Sequence, residues 1–218
     1  MEKNQKQILI VLGIIVLLVS LFLWREIKNY KSISTEIVSE PLVAETATVL
    51  PITADDQVLG NPGAALTIVE YINLSDSKSK RLNSDIMEFV NKNPLKARAI
   101  FKHATVAGFF DKKDLPNRAA WCAGKQKKLW EYIELLDINK NTIKTEALKT
   151  AAKNTKLNLE MWQACFDGEK SANAVASETE EARRLTMGKP PLIFVNYKKI
   201  NTDLDFDLKE FLSSLIAE

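Results

Sequence analysis

Few side chains in this sequence could do chemistry unaided. It has one histidine, His103, and two cysteines, Cys122 and Cys165. Three such residues fall short of the Cys/His sets that hold zinc, so no metal site of that kind is expected. A Ser-His-Asp triad would have to pass through His103, which closes the run Ala97 to His103 (ARAIFKH) and reads as a strand-end structural residue. The cysteines are too far apart in sequence for a Cys-x-x-Cys motif. Of the 28 acids, Glu70 and Asp76 stand six residues apart. Paired carboxylates suit general acid–base work, but no third group or substrate pocket accompanies them. Asp76 reads more simply as a helix N-cap, with a catalytic carboxylate as the alternative. No phosphate-binding glycine loop, dinucleotide fingerprint, metal-binding helix or internal repeat occurs, and no cofactor is expected.

The elements that must position these residues follow from periodicity. Ala65 to Asn73 (ALTIVEYIN) is a β-branched and aromatic run bounded by Asn61-Pro62-Gly63, so it predicts a strand. Ser75 to Asn91 takes helical spacing, with Leu82, Ile86, Phe89 and Val90 on one face. Ala97 to His103 is a second strand. Helices are expected over Asn117 to Asp137, Ile143 to Ala152, Leu159 to Phe166 with Asn158 as N-cap, and Ser171 to Thr186. Lys189-Pro190-Pro191 leads into the strand Leu192 to Asn196, a turn at Tyr197 and Lys198, and a closing helix from Leu208 to Ile216. A small sheet with grouped helices between its halves is an α/β or α+β architecture.

Ahead of this stands Ile8 to Trp24 (ILIVLGIIVLLVSLFLW), which carries no charge. At about 1.5 Å per residue it approaches the span of a roughly 30 Å hydrocarbon core. A cleaved signal peptide would need small residues after the apolar run; this one ends in Phe22-Leu23-Trp24-Arg25. An uncleaved anchor over 8–24 is therefore expected, behind a short tail of residues 1–7. Lys3 and Lys6 before it and Arg25, Lys28 and Lys31 after it nearly balance, so charge does not settle orientation. Residues 25–54 read as a linker with a reach of very roughly 25–30 Å. The folded domain is expected over 55–218, about 160 residues, ample for one core. Lys plus Arg is 30 and Asp plus Glu is 28, a net charge of +2 that gives no reason to expect nucleic acid as a partner.

At this point the sequence resembles the DsbA-like branch of the thioredoxin-fold superfamily, thiol–disulfide oxidoreductases of the cell envelope. The residues that carry the resemblance are Asp56-Gln57-Val58-Leu59-Gly60-Asn61-Pro62, Thr67-Ile68-Val69-Glu70-Tyr71, Phe101-Lys102-His103, Ala119-Ala120-Trp121-Cys122-Ala123-Gly124, and Pro191-Leu192-Ile193-Phe194-Val195-Asn196. Their order and spacing cover the domain from residue 55 to its end. The resemblance implies a thioredoxin fold with an inserted helical subdomain at about 115–170, preceded by one transmembrane helix.

It also implies where the family's site would lie. The family's two cysteines fall on Asp76 and Ser79, in the segment Asp76-Ser77-Lys78-Ser79, and its buried acid falls on Glu70. Thiol–disulfide exchange needs one thiolate to attack and a second sulfur to resolve; a carboxylate and a hydroxyl do neither. Pro191, after Pro190, resembles the family's cis-proline, whose loop pairs with extended peptides. Cys122 and Cys165 match a pair that many DsbA-like proteins bridge away from the active site; two buried free thiols are the alternative. The resulting expectation is a membrane-anchored, redox-inactive domain, facing an extracytoplasmic compartment, that binds a peptide or an envelope protein. The rivals are an oxidoreductase or isomerase using Cys122 and Cys165, and a purely structural envelope protein.

Overall fold

The computed structural model describes residues 16–25, 52–53, 56–106, 114–137, 143–186, 189–202 and 206–216. The chain divides into two units, Met1–Leu42 and Val43–Glu218. In the first, residues 16–25 are helical and Val16 to Val19 and Leu21 to Trp24 are exposed. Residues 8–15 of the expected anchor lie outside the described residues, and among the described residues no helix is long and apolar enough to cross a membrane.

The second unit is built on one five-stranded sheet. Its elements run β1 (Gln57–Gly60), β2 (Leu66–Ile72), α1 (Ser77–Lys92), β3 (Ala97–His103), α2 (Leu115–Gly124), α3 (Leu129–Glu134), α4 (Thr145–Asn154), α5 (Leu159–Asp167), α6 (Glu169–Thr186), β4 (Leu192–Val195), β5 (Lys198–Ile200) and α7 (Leu208–Ser214). The strand order is β1-β3-β2-β4-β5. β2 and β3 are parallel; β1 on β3, β4 on β2 and β5 on β4 are antiparallel. Central β2 is buried along its whole length, as a strand covered on both faces must be.

One face packs on α1, α7 and the inserted helices. Leu82, Ile86, Phe89 and Val90 of α1 enter this core, together with Trp162, Phe166, Tyr132 and Leu148 of the insertion. Trp162 stacks on Phe166 at 5.0 Å between ring centroids, and its indole N–H donates to the Ala119 carbonyl. The other face is smaller: Val69, Tyr71, Ile100 and Phe194 meet Ala182 and Leu185 of α6. Here Lys102 and Asp56 form a buried ion pair at 2.7 Å. Burial pulls the Lys102 ammonium down, but Asp56, with Glu181 and Glu178 of α6, outweighs it and holds the lysine charged. The Tyr71 hydroxyl donates to Glu181, so the network bolts α6 to the sheet through groups that would be costly to bury singly.

Three local features depart from the sequence reading. The segment 57–60, expected only as a lead-in, is strand β1; its three half-buried residues are too few to show a period. It stops at Gly60, where φ is +84° and a Cβ would lie 2.4 Å from the Ala97 carbonyl oxygen. The helix expected over Asn117 to Asp137 is two helices. After Gly124 the chain turns through Lys127 at φ 59°, and Lys128 and Lys127 donate to the carbonyls of Ala123 and Gly124. That is a Schellman stop, normally made with glycine. The β4–β5 hairpin turns at Asn196 and Tyr197, both at positive φ, one residue earlier than expected. Two left-handed residues make the turn type that matches strand twist, and the Asn196 carboxamide oxygen accepts from Thr67 N.

Candidate functional site

The sheet delivers two segments to one end. β2 runs out at Ile72 towards the start of α1, while β4 begins at Leu192, paired with Tyr71. The antiparallel register therefore sets the Pro190–Pro191 loop beside the exit of β2. The Pro190–Pro191 bond is cis, and both prolines are partly exposed.

Between β2 and α1 the chain makes a tight, self-bonded corner. Asn73 accepts from Ser75 N through its side chain and from Asp76 N through its carbonyl. Asp76 is the N-cap of α1: its backbone is extended and its carboxylate accepts from Ser79 N at 2.7 Å. The cap satisfies a backbone donor that the first helical turn leaves open. Asp76 and Lys78 are partly exposed, Ser77 is exposed, and Ser79 is fully buried. The helix start thus offers a carboxylate outward and a hydroxyl inward.

Glu70 lies beneath, fully buried on β2. The Asn83 carboxamide donates to its Oε1 at 2.8 Å. Asn83 sits one turn after Ser79 on the same face of α1, so Glu70 is reached from the helix face that carries Ser79. Glu70 Oε2 and Ser79 Oγ have no hydrogen-bond partner among the described residues. Burial pushes the Glu70 carboxyl up to about 8, against the opposing pull of the Asn83 bond. It is therefore largely protonated at neutral pH, the state in which a buried acid is least costly.

His103 stands at the end of β3, 2% exposed. Burial pushes its imidazole down to about 3, so it is neutral. Its tautomer follows from Asn117 of α2. The Asn117 oxygen accepts from Leu74 N, so its amide nitrogen is the group facing the Ile72 carbonyl and His103 Nδ1. Nδ1 therefore accepts, and Nε2 carries the proton. Sequence reasoning passed over Asn117, yet it ties the exit of β2 to the insertion. Lys80 makes a second tie: its amine donates to the Asp137 carbonyl at 2.9 Å, joining the first turn of α1 to the segment that follows α3. From Lys80 a cleft of about 500 Å³ follows α1 past Asn83, Ser84, Met87 and Asn91, with Ile133 on its far wall.

Cys122 and Cys165 are not part of this constellation. They form a disulfide between α2 and α5, with Cys122 1% exposed. Removing the bridge as the Cys122→Ser, Cys165→Ser pair is expected to cost about 2–4 kcal/mol of stability, read as a lower urea midpoint; an unchanged midpoint would show that it carries none.

Comparison with known proteins agrees with this architecture. The sequence matches the family model described as Thioredoxin over residues 53–214, more than half of the chain. Among solved structures, oxidised BdbD from Bacillus subtilis superposes with a TM-score of 0.63 at 23% identity, covering 77% of this chain and 96% of that one. A thioredoxin-like oxidoreductase from Silicibacter pomeroyi DSS-3 gives 0.61 at 19% identity, covering 76% and 92%. The thiol–disulfide exchange protein alpha-DsbA2 from Wolbachia pipientis gives 0.61 at 18% identity, covering 74% and 88%. No curated protein matches the sequence. With its five-stranded sheet, inserted helices and a helix start facing a proline loop, the chain belongs to the thioredoxin family and has the DsbA-like form of its fold.

Proposed function

We propose that this protein is a membrane-anchored, redox-inactive DsbA-like domain that binds an extended peptide or an envelope protein at the Pro190–Pro191 loop and the Asp76 helix start. The observation that carries this reading is the corner at Asp76. Where the family's attacking thiol would stand, a carboxylate already accepts a backbone N–H of the helix's first turn. Where the resolving thiol would stand, a hydroxyl is buried. Neither group can form or resolve a mixed disulfide. Peptide binding would not need the thiols. The loop is partly exposed beside the end of β2, and the cleft along α1 offers polar and apolar walls to a chain leaving it. Extended peptides bind such sites through main-chain bonds at a sheet end and side-chain pockets.

The apolar run at 8–24 supports the anchor, and the linker at 25–54 would leave the domain free to sample partners near the bilayer. The oxidoreductase reading through Cys122 and Cys165 is disfavoured by their placement: the bridge spans two insertion helices, with one sulfur buried.

The test combines turnover with capture. The full chain is expected to give no insulin reduction above background. A photoreactive group at Pro190 or Ser77 should crosslink extended peptides, and one at Lys198 should not. Turnover that disappears in Cys122→Ser would overturn the reading in favour of the enzyme.

A further inference from the structure

We propose that the lysine-rich corner of the helical insertion is a docking surface for an anionic lipid bilayer, separate from the peptide-binding site. Two helix ends build it. α2 stops at Lys127 and α4 stops at Lys156, with φ of 59° and 58°. Both stops have the same bonding: Lys156 and Leu157 donate to the carbonyls of Lys153 and Ala152, as Lys127 and Lys128 do to those of Gly124 and Ala123. The left-handed position of such a stop is normally glycine or asparagine, because a side chain there is strained. This chain places a lysine at both.

The two stops are braced against each other. The Gln126 carboxamide donates to the Asn158 carbonyl and accepts from Asn158 N. The Lys128 amine donates to the Thr155 carbonyl at 2.9 Å. The result holds exposed Lys127 and Lys156 on one rigid corner, with Lys125 on the first loop and Lys153 in the last turn of α4. Lys149, one turn back, shares a cavity of about 250 Å³ with Lys153 and Leu159. Among the described residues, none of Lys127, Lys149, Lys153 and Lys156 has a carboxylate within ion-pair distance. Glu146 and Glu160 are the acids on the flanking first turns. A chain with a net charge of only +2 thus concentrates positive charge at one corner.

Apolar groups beside the lysines select the occupant. Leu159 is 46% exposed and Met161 62% exposed, both in the first turn of α5 directly after the second stop. Lysines around projecting apolar side chains suit a headgroup layer, where ammonium groups meet phosphates and the apolar tips enter the acyl boundary. An acidic protein would use the charges and leave Leu159 and Met161 without a role. The proposal does not require the anchor at 8–24, which would only raise the local concentration of lipid.

The experiment is lysine acylation, mapped by mass spectrometry, of the full chain reconstituted with nanodiscs. One set is phosphatidylcholine alone; the other contains about one third phosphatidylglycerol. On anionic discs at low salt, Lys127, Lys153 and Lys156 should label at least about threefold more slowly than on neutral discs, and recover in about 1 M salt. Exposed Lys198 of β5 should not change. Lys127→Glu with Lys153→Glu and Lys156→Glu should abolish protection of Lys125 and Lys149. Equal labelling on both discs, or protection that survives high salt, would overturn the proposal. So would protection by soluble polyglutamate with none on anionic discs, which would assign the corner to an acidic protein. Whether the chain co-elutes with neutral discs reports separately on the anchor.

Discussion

The double substitution Asp76→Cys with Ser79→Cys is expected to give the domain insulin-reducing thiol–disulfide oxidoreductase activity above that of the parent chain. The sheet end already supplies what the family's chemistry requires. A cysteine at 76 would sit at the start of α1, partly exposed, with the helix N-terminus favouring its thiolate. A cysteine at 79 would be buried one turn in, placed to resolve the mixed disulfide. Glu70 lies on the strand beneath, protonated at neutral pH and reached from the same helix face. The substitution also removes the Asp76 cap, at a cost of about 1 kcal/mol. Stability should therefore fall slightly while activity appears. The single variants should show thiol reactivity at most and no turnover. A folded double variant that forms the 76–79 disulfide yet reduces nothing would show that the Pro190–Pro191 loop does not present substrate. One that cannot form the disulfide would show that the site has been laid on the wrong residues.

This design rests on features that were legible in the sequence to very different degrees. α1 announced itself through its period, because it buries one apolar stripe against the core, and β2 and β3 through composition and length, because short apolar runs buried on both faces need no alternation. Asp76 as an N-cap followed from residue type and from the helical pattern behind it. The broken helix at 125–128 was not legible: its stop uses lysine at the left-handed position, where a sequence reader looks for glycine. β1 was hidden for another reason. A four-residue edge strand gains its stability from pairing with β3, a non-local contact that no local pattern records. The site was legible only in part. Residue types showed that positions 76 and 79 carry no cysteine, but the bond from Asn83 to Glu70 and the latch through Asn117 depend on which helix faces which strand. Amides carry no period, so nothing in the sequence marked them out.

Glu70→Gln tests the buried acid directly, and its effect should depend on pH. The Glu70 carboxyl is raised by burial from 4.5 to about 8 in the folded protein. Between those values the unfolded chain has released its proton and the folded one has kept it. Raising the pH therefore favours unfolding, progressively from about 4.5 to about 8 and constantly above. Glutamine keeps an oxygen for the Asn83 bond and cannot ionise, so it removes this penalty. At pH 5 the variant should lie within about 1 kcal/mol of the parent protein. At pH 9 it should be more stable by on the order of 4 kcal/mol. Glu178 and His103 add slopes of their own, since burial raises the first to about 7 and lowers the second to about 3. Both remain in the variant, so they cancel in the difference. Urea unfolding at pH 5, 7 and 9 gives the measurement: a difference that grows with pH is the expected result, while a constant offset would mean that Glu70 is not held protonated by its burial.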